Sequence, residues 1–473
     1  MRLMQHCRSA GMSSAARSLR YVAAVMVLAM SSACSTYRPW INSALPAGNQ
    51  QKLLPSENAV PPPVRPVLVA VALSGGGARA AAFGLGVLRE LKATRFTLDG
   101  QPTTLLDHVA LISGVSGGSI LAAHYAAFGD ETLTRFEPDF LLAPFEWRMI
   151  EQALTPTRLY RLTSPWYGRS HVLAQRLDEL YGGRTFGDVK ARPGAPDLMI
   201  TATDLTTGAP FDFTPDQFGL ICSDLDRTPL SFAVASSSAV PILLSPMTLR
   251  NYAGQCKADE TVPQAGSGAT NYRIRMLQRS ADGYRDTEAR PYIHLVDGGV
   301  TDNLGVRLML DRLLAGGSIA SSFPAAPPGS IRRLILVAVN SERDLAVRID
   351  KRDAVPTTGQ VLESLLYGAG ARDTQMTLAM LNDDAQRWRA DLERTRGGAG
   401  SPFAADAEIH VISVSLHDIQ DSKVRHSLLR VPTAFTVESS DVRDLETAGA
   451  AALRHTPSFR QLKESLHAGD ASP

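Results

Sequence analysis

Six apolar runs of strand length punctuate the chain: Val67–Leu73, His108–Ser113, Asp197–Thr203, Tyr292–Val296, Arg333–Val339 and Ile409–Ser415. The first reads VLVAVAL, apolar at every position, the pattern of a strand buried on both faces. Glycine-rich turns break the first two runs, and a helical pattern follows each. After Ser74-Gly75-Gly76-Gly77, residues 78–92 set Ala81, Leu85, Leu88 and Leu91 along one helical face. After Gly114-Val115-Ser116-Gly117-Gly118, residues 120–128 read as a second helix. Strands separated by helical stretches predict α/β layering around a largely parallel sheet.

Two segments depart from this alternation. Residues 136–186 hold nine of the chain's thirty aromatic residues where even spacing would give about three, so either an apolar wall beside a ligand or an extra helical layer on the core is expected. Residues 251–290 are polar and predict a surface excursion, with a mobile lid as the weaker alternative. One main folded unit is expected over 66–430, with a helical tail over 431–473.

The beginning of the chain follows a different logic. Arg2, Arg8, Arg17 and Arg20 precede the apolar run Tyr21–Met30, and Ser31-Ser32-Ala33-Cys34 follows. Ten residues make a helix of only about 15 Å, half the hydrocarbon thickness of a bilayer. The order predicts a secretory signal over 1–33. The small residues before Cys34 resemble a bacterial lipobox, although Ser31 stands where leucine is usual, which marks Cys34 for lipidation and the protein for the cell envelope, as an outer-membrane lipoprotein or a periplasmic protein. An ordinary export signal with a chance cysteine is the alternative. Prolines at 39, 46, 55, 61, 62 and 63 read as an extended tether over 34–65.

Composition narrows the classes. With 44% hydrophobic and 20% charged residues over 473 positions, the chain is globular and long enough for a large core. Forty-eight basic residues face 47 acidic ones, so nothing suggests a nucleic-acid groove. Removal of the leader would take away four arginines and no acid, turning a net +1 into −3. Four cysteines exclude a disulfide-dense scaffold; in an exported protein Cys222 and Cys256 could pair. No metal-ligand spacing appears, and no cofactor is called for.

Three short stretches carry chemistry. Gly114-Val115-Ser116-Gly117-Gly118 sits between a strand and a helix, where a sharp turn exposes a serine oxygen, with Gly114 and Gly118 as its small flanks. Gly75-Gly76-Gly77, also before a helix, frees backbone N–H groups to converge on one spot, as an oxyanion hole requires, with Arg79 beside them. The spacing Gly75-x-Gly77-x-x-Ala80, with Asp99 about twenty residues on, also fits a dinucleotide fingerprint, which keeps a cofactor-binding oxidoreductase as an alternative. Val296-Asp297-Gly298-Gly299 ends an apolar strand with an aspartate freed by two glycines, a base for Ser116 or an ordinary turn residue.

Together, Leu73-Ser-Gly-Gly-Gly-Ala-Arg-Ala80, Ile112-Ser-Gly-Val-Ser-Gly-Gly118 and Val296-Asp-Gly-Gly299 resemble, in that order, the motifs of the patatin-like phospholipase family. Thr201-Ala-Thr-Asp-Leu-Thr-Thr-Gly208 and Ala235-Ser-Ser-Ser-Ala-Val-Pro241 resemble two further blocks, so that the likeness spans about Val67 to Asn303. The family's usual glycine is replaced by Ala80. The resemblance implies a three-layer α/β/α fold. It implies hydrolysis of lipid acyl esters by a Ser116–Asp297 dyad without histidine, with phospholipid or another lipid ester as substrate and a membrane surface as partner. A triad using His410, His417 or His426, and a catalytically silent lipid-binding module, are the competing expectations; His294 falls on the face of its strand opposite Asp297.

Overall fold

The computed structural model describes residues 35–46, 65–256, 272–307, 309–311, 318–343, 353–364 and 369–469. The leader, Cys34 and residues 47–64 of the proline-rich stretch lie outside the described residues.

Ten strands are described: β1 (Val67–Leu73), β2 (Arg95–Leu98), β3 (Gln101–Thr104), β4 (Val109–Val115), β5 (Asp197–Asp204), β6 (Ala209–Phe213), β7 (Met247–Arg250), β8 (Tyr292–Asp297), β9 (Ile331–Asn340) and β10 (Phe403–Ser415). Eight form one sheet in the order β10-β9-β1-β4-β5-β8-β7, with β6 also on β5. Pairs from β10 through β5 are parallel, whereas β6, β8 and β7 add antiparallel ladders. The expected parallel sheet is therefore the β10–β5 portion. The antiparallel strands β6 and β7 escape sequence patterning because they are only five and four residues long and carry little alternation.

Along β1, Val67, Val69, Val71 and Leu73 enter one core, while Leu68, Ala70 and Ala72 face the other, as a period of two requires. The first core is covered by helices α1 (Gly77–Ala93), α2 (Gly117–Phe128), α3 (Phe145–Ala153), α5 (Arg169–Tyr181) and α6 (Leu230–Ser237), while α4 (Pro156–Arg161), between α3 and α5, buries no residue. The second is covered by α7 (Ala369–Thr395) through Leu381, Ala385, Trp388 and Leu392. The result is a three-layer α/β/α fold.

The C-terminal segment is part of the first core. Helices α8 (Ser439–His455) and α9 (Pro457–Gly469) contribute Val442, Leu445, Leu453, Phe459 and Leu462 to it. Helix α8 meets α1 so closely that a Cβ on Gly86 would lie 2.0 Å from the Glu446 carbonyl oxygen, and one on Gly449 2.1 Å from that of Phe83.

The aromatic-rich segment divides. Phe136, Phe140, Phe145 and Tyr181 are fully buried in the core, the helical-layer alternative, whereas Trp147, Tyr160 and Trp166 stay exposed. Residues 35–46 do not run free as a tether. Asn42 is buried, donating to Ser223 Oγ (2.8 Å) and the Arg250 carbonyl (2.9 Å), and Ala44 forms a bridge with Ser223. The described ends of the 251–290 excursion are likewise docked: Tyr284 is buried and donates to Asp204 at 3.0 Å. No helix among the described residues is long and apolar enough to cross a membrane.

Candidate active site

Strand register brings the key residues together. A strand has two edges, and β5 gives one of them to β6 along Ile200–Asp204. Its other edge is shared. Strand β4 occupies it up to the pair Val115↔Thr201, and β8, running the opposite way, occupies it down to Ala202↔Asp297. The C-terminal ends of β4 and β8 thus meet head-on in the middle of the sheet. Ser116 follows Val115 by one residue, and Asp297 is the last residue of β8.

Ser116 adopts φ 48°, ψ −119°, outside the regions that residues with a Cβ favour. Such strain costs about 1–3 kcal/mol and is kept only where surrounding contacts enforce it. Here the Ser116 amide donates to Ser237 Oγ at 2.8 Å, and that hydroxyl donates to the Thr201 carbonyl at 2.6 Å. The Ser116 carbonyl accepts from the Ser119 amide (3.0 Å) and hydroxyl (2.5 Å). On either side the flanks pack tightly, Gly114 on Ser119 and Gly118 on the Leu73 carbonyl. A Cβ on Gly117 would sit 2.1 Å from the Gly77 carbonyl oxygen, so the two glycine-rich turns touch backbone to backbone.

Asp297 is buried. Its Oδ1 accepts from the Gly299 amide at 2.8 Å, its own amide donates to the Ala239 carbonyl at 3.0 Å, and Thr203 Oγ1 donates to its carbonyl at 2.8 Å. Burial pushes its carboxyl up to about 6, a shift opposed in part by the Gly299 amide and the Ser116 hydroxyl, which hydrogen-bonds it. Gly298 lies against the Thr201 carbonyl and carries the chain past the sheet.

The first glycine turn divides its labour. The Gly75 amide donates to the Asn303 carbonyl at 3.0 Å, so it is not free to hold an oxyanion, contrary to the expectation for all three glycines. Its carbonyl accepts from Ser341 Oγ (3.0 Å). In a trans peptide the C=O and the following N–H point opposite ways, so Ser341 aims the Gly76 amide away from itself. The amides of Gly76, Gly77 and Gly117 have no acceptor among the described residues, and they open the first turns of α1 and α2, where positive potential concentrates. Arg79 is buried and serves as a clamp: Nε donates to the Ser341 carbonyl (3.0 Å) and Nη1 to that of Val431 (2.7 Å). Its charge stays beside Gly76 without facing solvent.

Gly75, Gly76, Ser116, Asp297 and Gly299 line one cleft, together with Arg79, Pro241, Val300 and Glu342. Burial also raises the Glu342 carboxyl, to about 7, against the pull of Asn340 and Arg79. Ser237, Ala239, Thr203, Asn303 and Ser341 hold the site, and none was assigned a role from sequence. The first three lie within or between the matched motif blocks, but a hydrogen-bonding role leaves no mark that distinguishes them from other small polar residues.

Other expectations fall elsewhere. No histidine among the described residues lines the cleft. His410 pairs with Glu408 at 2.9 Å, His417 and His426 are exposed, and His294 faces outward to meet Thr248 at 3.0 Å. Asp99 occupies the Asp99-Gly100 hairpin turn between β2 and β3, far in role from the strand end that a ribose-binding acid needs. Cys222 and Cys256 form a disulfide with a Cα–Cα distance of 5.8 Å, away from the cleft lining. None of the described residues of the 251–290 excursion lines the cleft, and residues 257–271 of it lie outside the described residues.

The site is thus a strained serine at a strand-to-helix turn, facing a buried carboxylate at the centre of an α/β sheet. Comparison with known proteins makes the assignment more definite. The description "Patatin-like phospholipase" matches residues 71–310, just over half of the sequence, and the chain belongs to that family. Among solved structures, it is similar to human GIVD cytosolic phospholipase A2 (13% identity, TM-score 0.46, covering 89% of this chain and 65% of that one). It is also similar to VipD from Legionella pneumophila (12% identity, TM-score 0.30, 93% and 73%) and to the type III effector protein ExoU (19% identity, TM-score 0.19, 54% and 61%). The chain thus spans slightly less than two thirds of the phospholipase A2 chain. Among curated proteins, none matches by sequence.

Proposed function

We propose that the protein hydrolyses carboxylic esters of lipids, phospholipids foremost, through a Ser116–Asp297 dyad. The observation that carries this is the head-on meeting of β4 and β8, which sets a strained serine against a buried aspartate whose carboxyl is raised to about 6. A base of that strength is better matched to neutral pH than an ordinary carboxylate.

Asp297 accepts the Ser116 proton as Oγ attacks the ester carbonyl carbon. The negative charge that develops on the carbonyl oxygen is held by backbone amides at the two helix N-termini, Gly76 and Gly77 on one side and Gly117 on the other. The tetrahedral adduct collapses, the alcohol leaves with the proton from Asp297, and the acyl group stays on Ser116. Water, deprotonated by Asp297, attacks the acyl carbon; the second adduct breaks its bond to Ser116 Oγ, which takes the proton back from Asp297, and the fatty acid is released.

Export through the 1–33 leader and lipidation of Cys34 would deliver this activity to the cell envelope. Ser116→Ala is expected to abolish ester turnover with the fold retained, and a fluorophosphonate probe is expected to label the parent and not the variant. Unchanged turnover in Ser116→Ala would sink the assignment. Labelling failure with retained lipid binding would favour a silent lipid-binding module, and saturable nicotinamide-cofactor binding an oxidoreductase.

A further inference from the structure

The surface outside the cleft carries an unusual concentration of exposed apolar side chains. Pro241 and Val300 form part of the cleft lining, and directly after Pro241 come Ile242 and Leu243, 65% and 66% exposed. Arg169, at the start of α5, donates to the Ile242 carbonyl at 2.5 Å. The turn before α5 carries Trp166, and the α3–α4 hairpin before that carries Trp147 (67% exposed), Leu154 (63%) and Tyr160. Apolar exposure therefore continues from the mouth of the cleft outward along consecutive elements.

Charge on this surface has one sign over a long stretch. From Gln152 through Leu177 there is no acidic residue, whereas Arg158, Arg161 and Arg169 all fall there; α3 before it adds Glu146 and Glu151 against Arg148, so the surface as a whole keeps a cationic excess. The arginines interleave with aromatics: Arg38 lies over the Trp166 ring at 3.5 Å and Arg161 over Tyr37 at 4.3 Å. Tryptophan, tyrosine and arginine together on one exposed face suit the interface of an anionic bilayer, where rings sit at headgroup depth and cations meet lipid phosphates.

The N-terminal segment ends on the same surface. The Ser35 amide donates to Thr163 Oγ1 at 3.0 Å, and Ser164 Oγ donates to the Tyr37 carbonyl at 2.8 Å. The described chain therefore begins beside the α4–α5 turn, and the residue before it in sequence, Cys34, is the one expected to carry a lipid. A single acyl chain anchors weakly, and stable attachment needs a second signal. The cleft itself encloses only about 70 Å³, well below the roughly 300–1,000 Å³ of sites that engulf a drug-sized ligand. Most of a lipid substrate would thus remain outside it.

We propose that the α3–α4 hairpin, the Trp166 turn and the Ile242–Leu243 loop form one interfacial surface that lays the protein on an anionic bilayer with the cleft opening toward it. The proposal rests on the lipid-hydrolase reading for its consequence and on surface chemistry for the docking itself.

The test uses the full chain carrying Cys34→Ser and vesicles of phosphatidylcholine and phosphatidylglycerol with brominated acyl chains. No tryptophan precedes Trp40, so quenching reports on the folded surface. Quenching is expected, reduced in Trp147→Phe and in Trp166→Phe, mostly lost when the two are combined, and reduced by salt. Arg158→Gln with Arg161→Gln should weaken vesicle binding about 25-fold, taking about fivefold per arginine. Trp147→Ser with Leu154→Ser should lower hydrolysis of vesicle lipid at least about tenfold, with turnover of a short-chain soluble ester unchanged. Absence of quenching, or equal losses on both substrates, overturns the proposal. So does a dimer in sedimentation that these substitutions dissolve, which would give the face to a second copy. If the parent turns over neither substrate, the hydrolase reading fails while quenching still decides the docking.

Discussion

Replacing Asp297 with asparagine should stabilise the protein while disabling it. The Asp297 carboxyl is raised from an ordinary 3.8 to about 6, first because burial removes its charged form from water. Between those values the folded chain holds a proton that the unfolded chain has released. Stability from this group is therefore fully present below about pH 4 and is lost as pH rises through about 6. At pH 7 the ionised carboxylate costs the fold about 3 kcal/mol, two pKa units at about 1.4 kcal/mol each. Asparagine keeps the shape and an oxygen for the Gly299 amide, which now donates at 2.8 Å, without the charge. Asp297→Asn should therefore gain up to about 3 kcal/mol in urea unfolding at pH 7, with the gain shrinking toward zero near pH 4. On a soluble ester its kcat/KM should be lost. In the parent, kcat/KM should climb about tenfold per pH unit up to about pH 6 and then level. A variant no more stable at pH 7, or a parent limb centred near pH 4, would refute the reasoning. A stable variant that still turned over would remove Asp297 from the role of base.

Three further outcomes follow from the packing. Gly117→Ala places a Cβ 2.1 Å from the Gly77 carbonyl oxygen, which is backbone and cannot swing aside, so kcat should fall at least about 100-fold, the order of losing an oxyanion donor, read beside circular dichroism to confirm folding. Ser341→Ala removes the hydroxyl that fixes the Gly75 carbonyl and should lower kcat about tenfold with KM little changed, because it loosens a donor that matters in the transition state. Reduction of the Cys222–Cys256 bond, which closes a sequence separation of 34, should cost about 3–4 kcal/mol on the chain-entropy scale and lower the melting temperature without changing the pH profile.

Several elements were legible in the chain itself. Val67–Leu73 declares a doubly buried strand because it has no polar position, and it is β1 to the residue. The helix expected over 78–92 extends over Gly77–Ala93, since its apolar spacing matches the face that packs on the sheet. The Ser116 elbow and the aspartate at the end of β8 could be found because each requires glycines at fixed offsets, and glycine is a visible signal. Strands β6 and β7 could not, being too short for a period to show. Nor could the docking of residues 35–46, whose prolines suggest a free tether and whose buried anchors, Ser35 and Asn42, are small polar residues without a pattern.

What the sequence determined by itself was local: which runs are strands, where backbone must turn sharply, and which residues have the chemistry of nucleophile and base. Ser116 and Asp297 are separated by 180 intervening residues, and no local pattern encodes how close they stand. The tertiary structure decided that, by seating β4 and β8 end to end on one edge of β5. It also decided which donors remain available, since the Gly75 amide is consumed by Asn303, a residue more than two hundred positions away. The physical reason is the same in both cases. Burial and hydrogen-bond pairing are properties of neighbours in space, so a carboxyl raised to about 6 and an amide left without an acceptor exist only once the chain has folded.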